Sequence, residues 1–177
     1  MTDIKLNSRD IHISTVVFVV ADILVLIPLF WVSRNNTFQG FSNSITIASM
    51  IFWGVLAVGL VLGAWNLYYQ YIYPDWIRWT LPASVFLYGA FGLGMWFLGE
   101  RFPGPVLFWF VILGGFEGIL EHIFGIYGLG ILEKVPWLQG ITPLPVLVFS
   151  FFEYILYWTL VTWLALGFAK VVSLLGV

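Results

Sequence analysis

The chain has 177 residues, of which 61% are hydrophobic, 20% aromatic and 9% charged, with a net charge of -2. A soluble domain of this size carries about 25% charged residues to cover its water-facing surface, and seven Lys and Arg with nine Asp and Glu do not supply that. Composition therefore excludes a soluble enzyme and a disordered chain, and the absence of a basic run excludes a nucleic-acid partner. The expectation is an integral membrane protein with the lipid bilayer as its first partner. No cysteine is present, so disulfides, thiolate nucleophiles and cysteine-ligated metal centres drop out together.

About 20 helical residues cross a bilayer core of about 30 Å. Five apolar stretches reach that length, at about 13–33, 44–73, 77–99, 105–125 and 144–170. The first is read as a retained helix, because it is too long for a signal-peptide core. Pro74-Asp75, Glu100-Arg101 and Phe102-Pro103-Gly104-Pro105 are the breaks between later runs. The glycine-rich stretch at about 126–142 is read as lying along the interface. The runs do not alternate as barrel strands do. The predicted fold is all-α, a single polytopic membrane domain of five transmembrane helices. Lys5, Arg9, Arg78 and Lys134 fall on the N-terminal side and Arg34, Arg101 and Lys170 on the other. The positive-inside rule then favours a cytoplasmic N-terminus by four to three.

Ionisable residues inside a span cost about 2.5–3.5 kcal/mol on insertion scales and point to function by default. Asp22 lies in the first run, Glu117, Glu121 and His122 in the fourth, and Glu153 in the fifth, with no Lys or Arg at comparable depth. Counting residues from the ends places Asp22 and Glu153 roughly 14 Å from the N-terminal side and Glu117 roughly 18 Å from the other. That predicts three carboxyls near one height, with Glu121 and His122 one turn nearer the N-terminal side.

Helical spacing assigns faces. Gly114, Glu117, Glu121, Gly125 and Gly128 form one predicted stripe on the fourth run, and Gly59, Gly63, Asn66 and Gln70 form another on the second. Small residues let membrane helices approach closely, so the acids are expected to face protein. Thr15, Asp22 and Ser33 share a predicted stripe on the first run, and Ser150, Glu153 and Tyr157 share one on the fifth. Trp53, Tyr88 and Trp158 lie too deep to be interface anchors. These stripes predict one cavity opening toward the N-terminal side.

Buried carboxyls without cationic partners hold either a proton or a cation. A carboxylic acid among aromatic faces can protonate an isoprenoid- or sterol-like alkene, with a base to remove a proton afterwards. Glu117, Glu121, His122 and Glu153 are the candidate catalytic groups. Asp22, Asn66, Tyr157 and Trp158 are the candidate ligand contacts. Proton- or cation-coupled transport uses the same acids. A non-catalytic subunit, meeting partner helices or a second copy through its glycine faces, is the third reading. Whether the chain is an enzyme, and with what cofactor, stays open on sequence. A metal is not expected, because helix-bundle carboxylate sites use two Glu-x-x-His pairs and one His lies within these runs.

Overall fold

The computed structural model describes residues 7–33, 54–57 and 76–174. Every regular element among them is helical. In chain order these are α1 (Ser8–Ser33), α2 (Trp76–Gly99), α3 (Val106–Ile123), a π-helical turn (Phe124–Leu129), the short α4 (Ile131–Lys134), a 3-10 turn (Pro136–Leu138) and α5 (Pro143–Leu174). A further helical turn covers residues 54–57. Among the described residues, three stretches are long and apolar enough to cross a membrane, namely Ser8–Leu29, Val106–Leu129 and Pro143–Ala165. Val85–Gly99 is a shorter apolar helix. Most of the expected second run, with Trp53, Gly59, Gly63, Asn66 and Gln70, lies outside the described residues.

Capping explains why α1 starts at Ser8 and not at Ile13, where the expected apolar run begins. The Asn7 side chain accepts a hydrogen bond from the Asp10 amide at 3.0 Å, and the Asp10 carboxylate accepts from the Asn7 amide at 2.8 Å. The reciprocal pair satisfies two amides that a bare helix end leaves open. At the other end of the molecule, the turn after α2 is held by aromatic residues. Trp96 donates its indole N–H to Glu100 at 3.1 Å, and Trp109 donates to the Pro103 carbonyl at 2.8 Å. Gly104 adopts φ 102° there, a conformation that costs glycine little and other residues much.

Helix directions follow from the side chains that meet. Gly114 faces Trp158 and Gly118 faces Tyr154, so α3 and α5 are antiparallel. Trp96 packs on Phe110, and Tyr88 reaches Glu121, so α2 and α3 are antiparallel too. Phe18 packs on Phe149, and the Trp163 indole reaches the Val25 carbonyl at 3.3 Å. Helices α1 and α5 therefore run in the same direction.

The α3–α5 seam is the centre of the molecule. A Cβ on Gly118 would meet Tyr154 Cβ at 2.6 Å, one on Gly114 would meet Trp158 Cγ at 2.8 Å, and one on Gly115 would meet Phe151 at 2.7 Å. Glycine is required here by packing, because the missing side chains make room for three aromatic rings. Phe110, Val111, Trp158, Val161 and Thr162 are fully or almost fully buried beside them. At the other end of α3, Gly130 turns the chain with φ 65°. Ile131, Val135, Leu138 and Ile141 then pack with Ile11, Ile126 and Val146, an apolar cap over the starts of α1 and α5.

The predicted glycine stripe on α3 holds from Gly114 to Gly125 and fails at Gly128, which is exposed. The cause is the π-helical turn over Phe124–Leu129. Its wider turn shifts the phase of the residues that follow.

Candidate functional site

The acids of α3 lie on its buried face because Gly114, Gly115 and Gly118 bring α5 close on either side of them. Glu117 is 7% exposed. Its Oε2 accepts a hydrogen bond from the Trp158 indole at 3.0 Å. One turn on, Glu121 Oε2 accepts from the Tyr88 hydroxyl of α2 at 3.0 Å and also from the Tyr154 hydroxyl of α5. The Glu117 and Glu121 carboxyls lie within hydrogen-bonding reach of each other.

Two carboxyls can hydrogen-bond only when one of them carries a proton. Donor counting says which. Glu121 Oε2 takes two phenolic hydrogens, as a carboxylate does. Glu117 Oε1 receives no N–H or O–H donor among the described residues. Glu117 is thus the group placed to donate the shared proton, and Glu121 the group placed to accept it.

His122 and Glu153 form a neighbouring pair. Nδ1 of His122 lies 2.9 Å from the Gly118 carbonyl. A carbonyl only accepts, so Nδ1 carries the hydrogen and Nε2 is turned toward Glu153, with its Oε2 at 3.8 Å. The His122 ring also packs edge-on against Tyr154 at 5.8 Å. Consecutive residues of α5 therefore serve different partners, with Glu153 beside His122 and Tyr154 on Glu121.

Asp22 stands apart. It is 5% exposed, and both of its carboxyl oxygens are buried without a hydrogen-bond partner among the described residues. Four hydroxyls of α1 and α5 are instead engaged with backbone carbonyls. Thr15 donates to Ile11, Ser150 to Leu147, Thr159 to Ile155 and Thr162 to Trp158, each to its own helix backbone at 2.7–2.9 Å.

The structure adjusts the expected site in three respects. First, Glu153 is level with His122, while Glu117 is level with Trp158, five residues further along α5. That separates Glu117 from Glu153 by about 7 Å along the helix axis, so the carboxyls are stepped and not at one height. Second, the polar face of α5 is Ser150, Tyr154, Trp158 and Thr162, an i, i+4 series, whereas the expected stripe ran through Ser150, Glu153 and Tyr157. Tyr157 is partly buried and packs on Tyr88, Tyr154 and Trp158. Third, Tyr88 and Tyr154 hold Glu121, and neither stood among the expected site residues. The depth of Tyr88 was a visible signal, and so was the spacing of Tyr154 from Ser150 and Trp158.

Among the described residues no group of three or more His, Asp or Glu side chains is arranged to hold a metal ion. Compared with family models, curated proteins and solved structures, the chain matches none of them.

Proposed function

We propose that this is a multi-pass membrane protein in which Glu117 and Glu121 exchange a proton with a lipophilic, isoprenoid- or sterol-like molecule lodged against the aromatic side chains of α2 and α5. The supporting observation is the carboxyl pair itself. One member is placed to donate a proton, and the other is held as an acceptor by two phenols, among apolar helices. Glu117 acts as the acid toward an alkene or other weak base. Glu121 takes the proton back, its charge spread over the Tyr88 and Tyr154 hydrogen bonds. Tyr157 and Trp158 present aromatic faces to the positive charge that protonation creates.

Deuterium incorporation tests this. The purified protein is incubated in D2O with farnesol and with cholesterol, and each is analysed by mass spectrometry. Label enters carbon positions next to the double bond with the unaltered chain and not with Glu117→Gln or Glu121→Gln. Incorporation at equal rates in all three proteins would contradict the proposal.

Asp22 favours a second reading. A buried acid whose two oxygens have no partner among the described residues is suited to carry a proton or a small cation across the bilayer. Liposomes loaded with a pH-sensitive dye separate the two readings, because coupled transport moves protons with the chain present and loses that movement in Asp22→Asn.

A further inference from the structure

Two consecutive Gly-x-x-Glu units make up the centre of α3, Gly114-Gly115-Phe116-Glu117 and Gly118-Ile119-Leu120-Glu121. Each unit takes one ring of α5. Gly114 lies against the Trp158 ring, and the Trp158 indole donates to Glu117 Oε2 at 3.0 Å. Gly118 lies against the Tyr154 ring, and the Tyr154 hydroxyl donates to Glu121 Oε2. Residues four apart share a helix face, so on antiparallel helices the two units and the two rings come into register. The units are alike in glycine and acid and differ in the ring that they seat.

We infer that this difference assigns the roles within the carboxyl pair: Trp158 is a positioning residue that keeps Glu117 Oε2 as the carbonyl oxygen and leaves the proton to Oε1. The inference rests on the reading of Glu117 as proton donor and Glu121 as acceptor. An indole N–H donates and does not accept, so Trp158 orients the Glu117 carboxyl without competing for its proton. A protonated carboxyl has one O–H and one carbonyl oxygen. With Oε2 taken by the indole, the hydrogen stands on Oε1, a buried atom with no donor of its own among the described residues. Glu121 instead receives two phenolic hydrogens on one oxygen, the arrangement of an acceptor.

The surrounding rings fix the indole in this orientation. Trp158 is fully buried, with the Phe110 ring at 5.5 Å and the Tyr157 ring at 5.3 Å, both edge-on. A Cβ on Gly114 would press on Cδ1, the ring carbon bonded to the N–H nitrogen. Gly114 therefore sets the reach of the indole to Glu117 as well as the spacing of the helices.

Infrared spectroscopy of the purified protein in detergent tests the inference. The Glu117 C=O band is identified by its loss in Glu117→Gln. Trp158→Phe keeps an aromatic ring against Gly114 and removes the N–H. The band should then move to higher wavenumber, as a carbonyl oxygen does when it loses a donor. Gly114→Ala, which displaces the indole and keeps it, should move the band the same way, and it serves where Trp158→Phe does not fold. Val161→Ala, a loss of buried volume on the same helix, should lower the melting temperature and leave the band in place, which separates positioning from packing. Deuterium incorporation into farnesol should slow by about tenfold in Trp158→Phe, equivalent to about 1.4 kcal/mol, the scale of a single hydrogen bond. A Glu117 band that stays in place in both Trp158→Phe and Gly114→Ala would overturn the role of Trp158 and leave the carboxyl pair standing. Absence of a Glu117 band from the unaltered protein would overturn both readings.

Discussion

Tyr88 and Tyr154 donate hydrogen bonds to the same oxygen of Glu121 from two different helices, one from α2 and one from α5. That convergence ties three helices together at one carboxyl and makes Glu121 the hinge of the polar core. Replacing either tyrosine by Phe removes one donor and keeps the ring. A hydrogen bond to a charged group contributes about 1.5–3 kcal/mol. Each Phe variant is therefore expected to lower thermal stability in detergent by about that amount. Tyr127→Phe, on an exposed residue of the π-helical turn, should leave it unchanged. Equal melting temperatures for all three variants would show that the phenols do not hold Glu121.

The glycine seam makes a steric prediction. Gly114→Leu and Gly118→Leu should prevent α3 and α5 from closing, because even a Cβ meets Trp158 or Tyr154 at impossible distances. Leu113→Ala, on a partly buried residue, should cost less. Gly167 and Gly94 have open space where a Cβ would stand. Alanine there should leave stability unchanged or raise it, since Gly costs about 1 kcal/mol against Ala inside a helix. Thermal denaturation of the set checks the order, and a Gly118→Leu protein as stable as Gly167→Ala would refute the packing.

The helix directions fix which segments share a side. Helix α2 ends in the turn at Glu100–Gly104, and α3 returns to the cap at Gly130–Ile141. The chain lacks cysteine, so single cysteines can be introduced without background. In sealed vesicles, Arg101→Cys should react with an impermeant maleimide from one side. Arg9→Cys and Glu133→Cys should react from the other. If Arg101→Cys and Glu133→Cys label from the same side, α3 does not cross the bilayer.

Double-mutant cycles probe which acids act together. Glu117 and Glu121 are in mutual reach, so Glu→Gln at both should be non-additive by about 0.5–3 kcal/mol. Glu117 and Glu153 are separated along α5 and should come close to additive in stability. A large coupling between Glu117 and Glu153, with none between Glu117 and Glu121, would reverse the arrangement described for the seam.

Much of this was legible in the residues. Apolar length and the Pro, Gly and charged breaks placed α1, α3 and α5 to within a few residues, apart from the capped start of α1. The inward turn of Glu117 and Glu121 followed from their spacing with Gly114. Two features were not legible. The π-helical turn after Ile123 breaks the regular period on which stripe counting depends, so Gly128 went to the wrong face. The expected α5 stripe of Ser150, Glu153 and Tyr157 does have buried polar atoms, but it omitted the more deeply buried Tyr154 and Trp158. Those two face α3, since aromatic rings fill the grooves that the α3 glycines leave. Glu153 reaches His122 from the flank of that stripe. Asp22 was correctly expected to be buried, but what it faces does not follow from one sequence.

The central claim is that Glu117 and Glu121 share one proton inside the bundle. Infrared difference spectroscopy at neutral pH measures this directly, as the unaltered protein minus Glu121→Gln. The account predicts a protonated-carboxyl C=O band in the unaltered protein that shifts on D2O exchange. Glu117→Gln should abolish it, and Glu121→Gln should remove or displace it. Neither variant should lose its helical circular dichroism. A spectrum with no protonated-carboxyl band, or with one that survives unchanged in both Gln variants, would contradict the account.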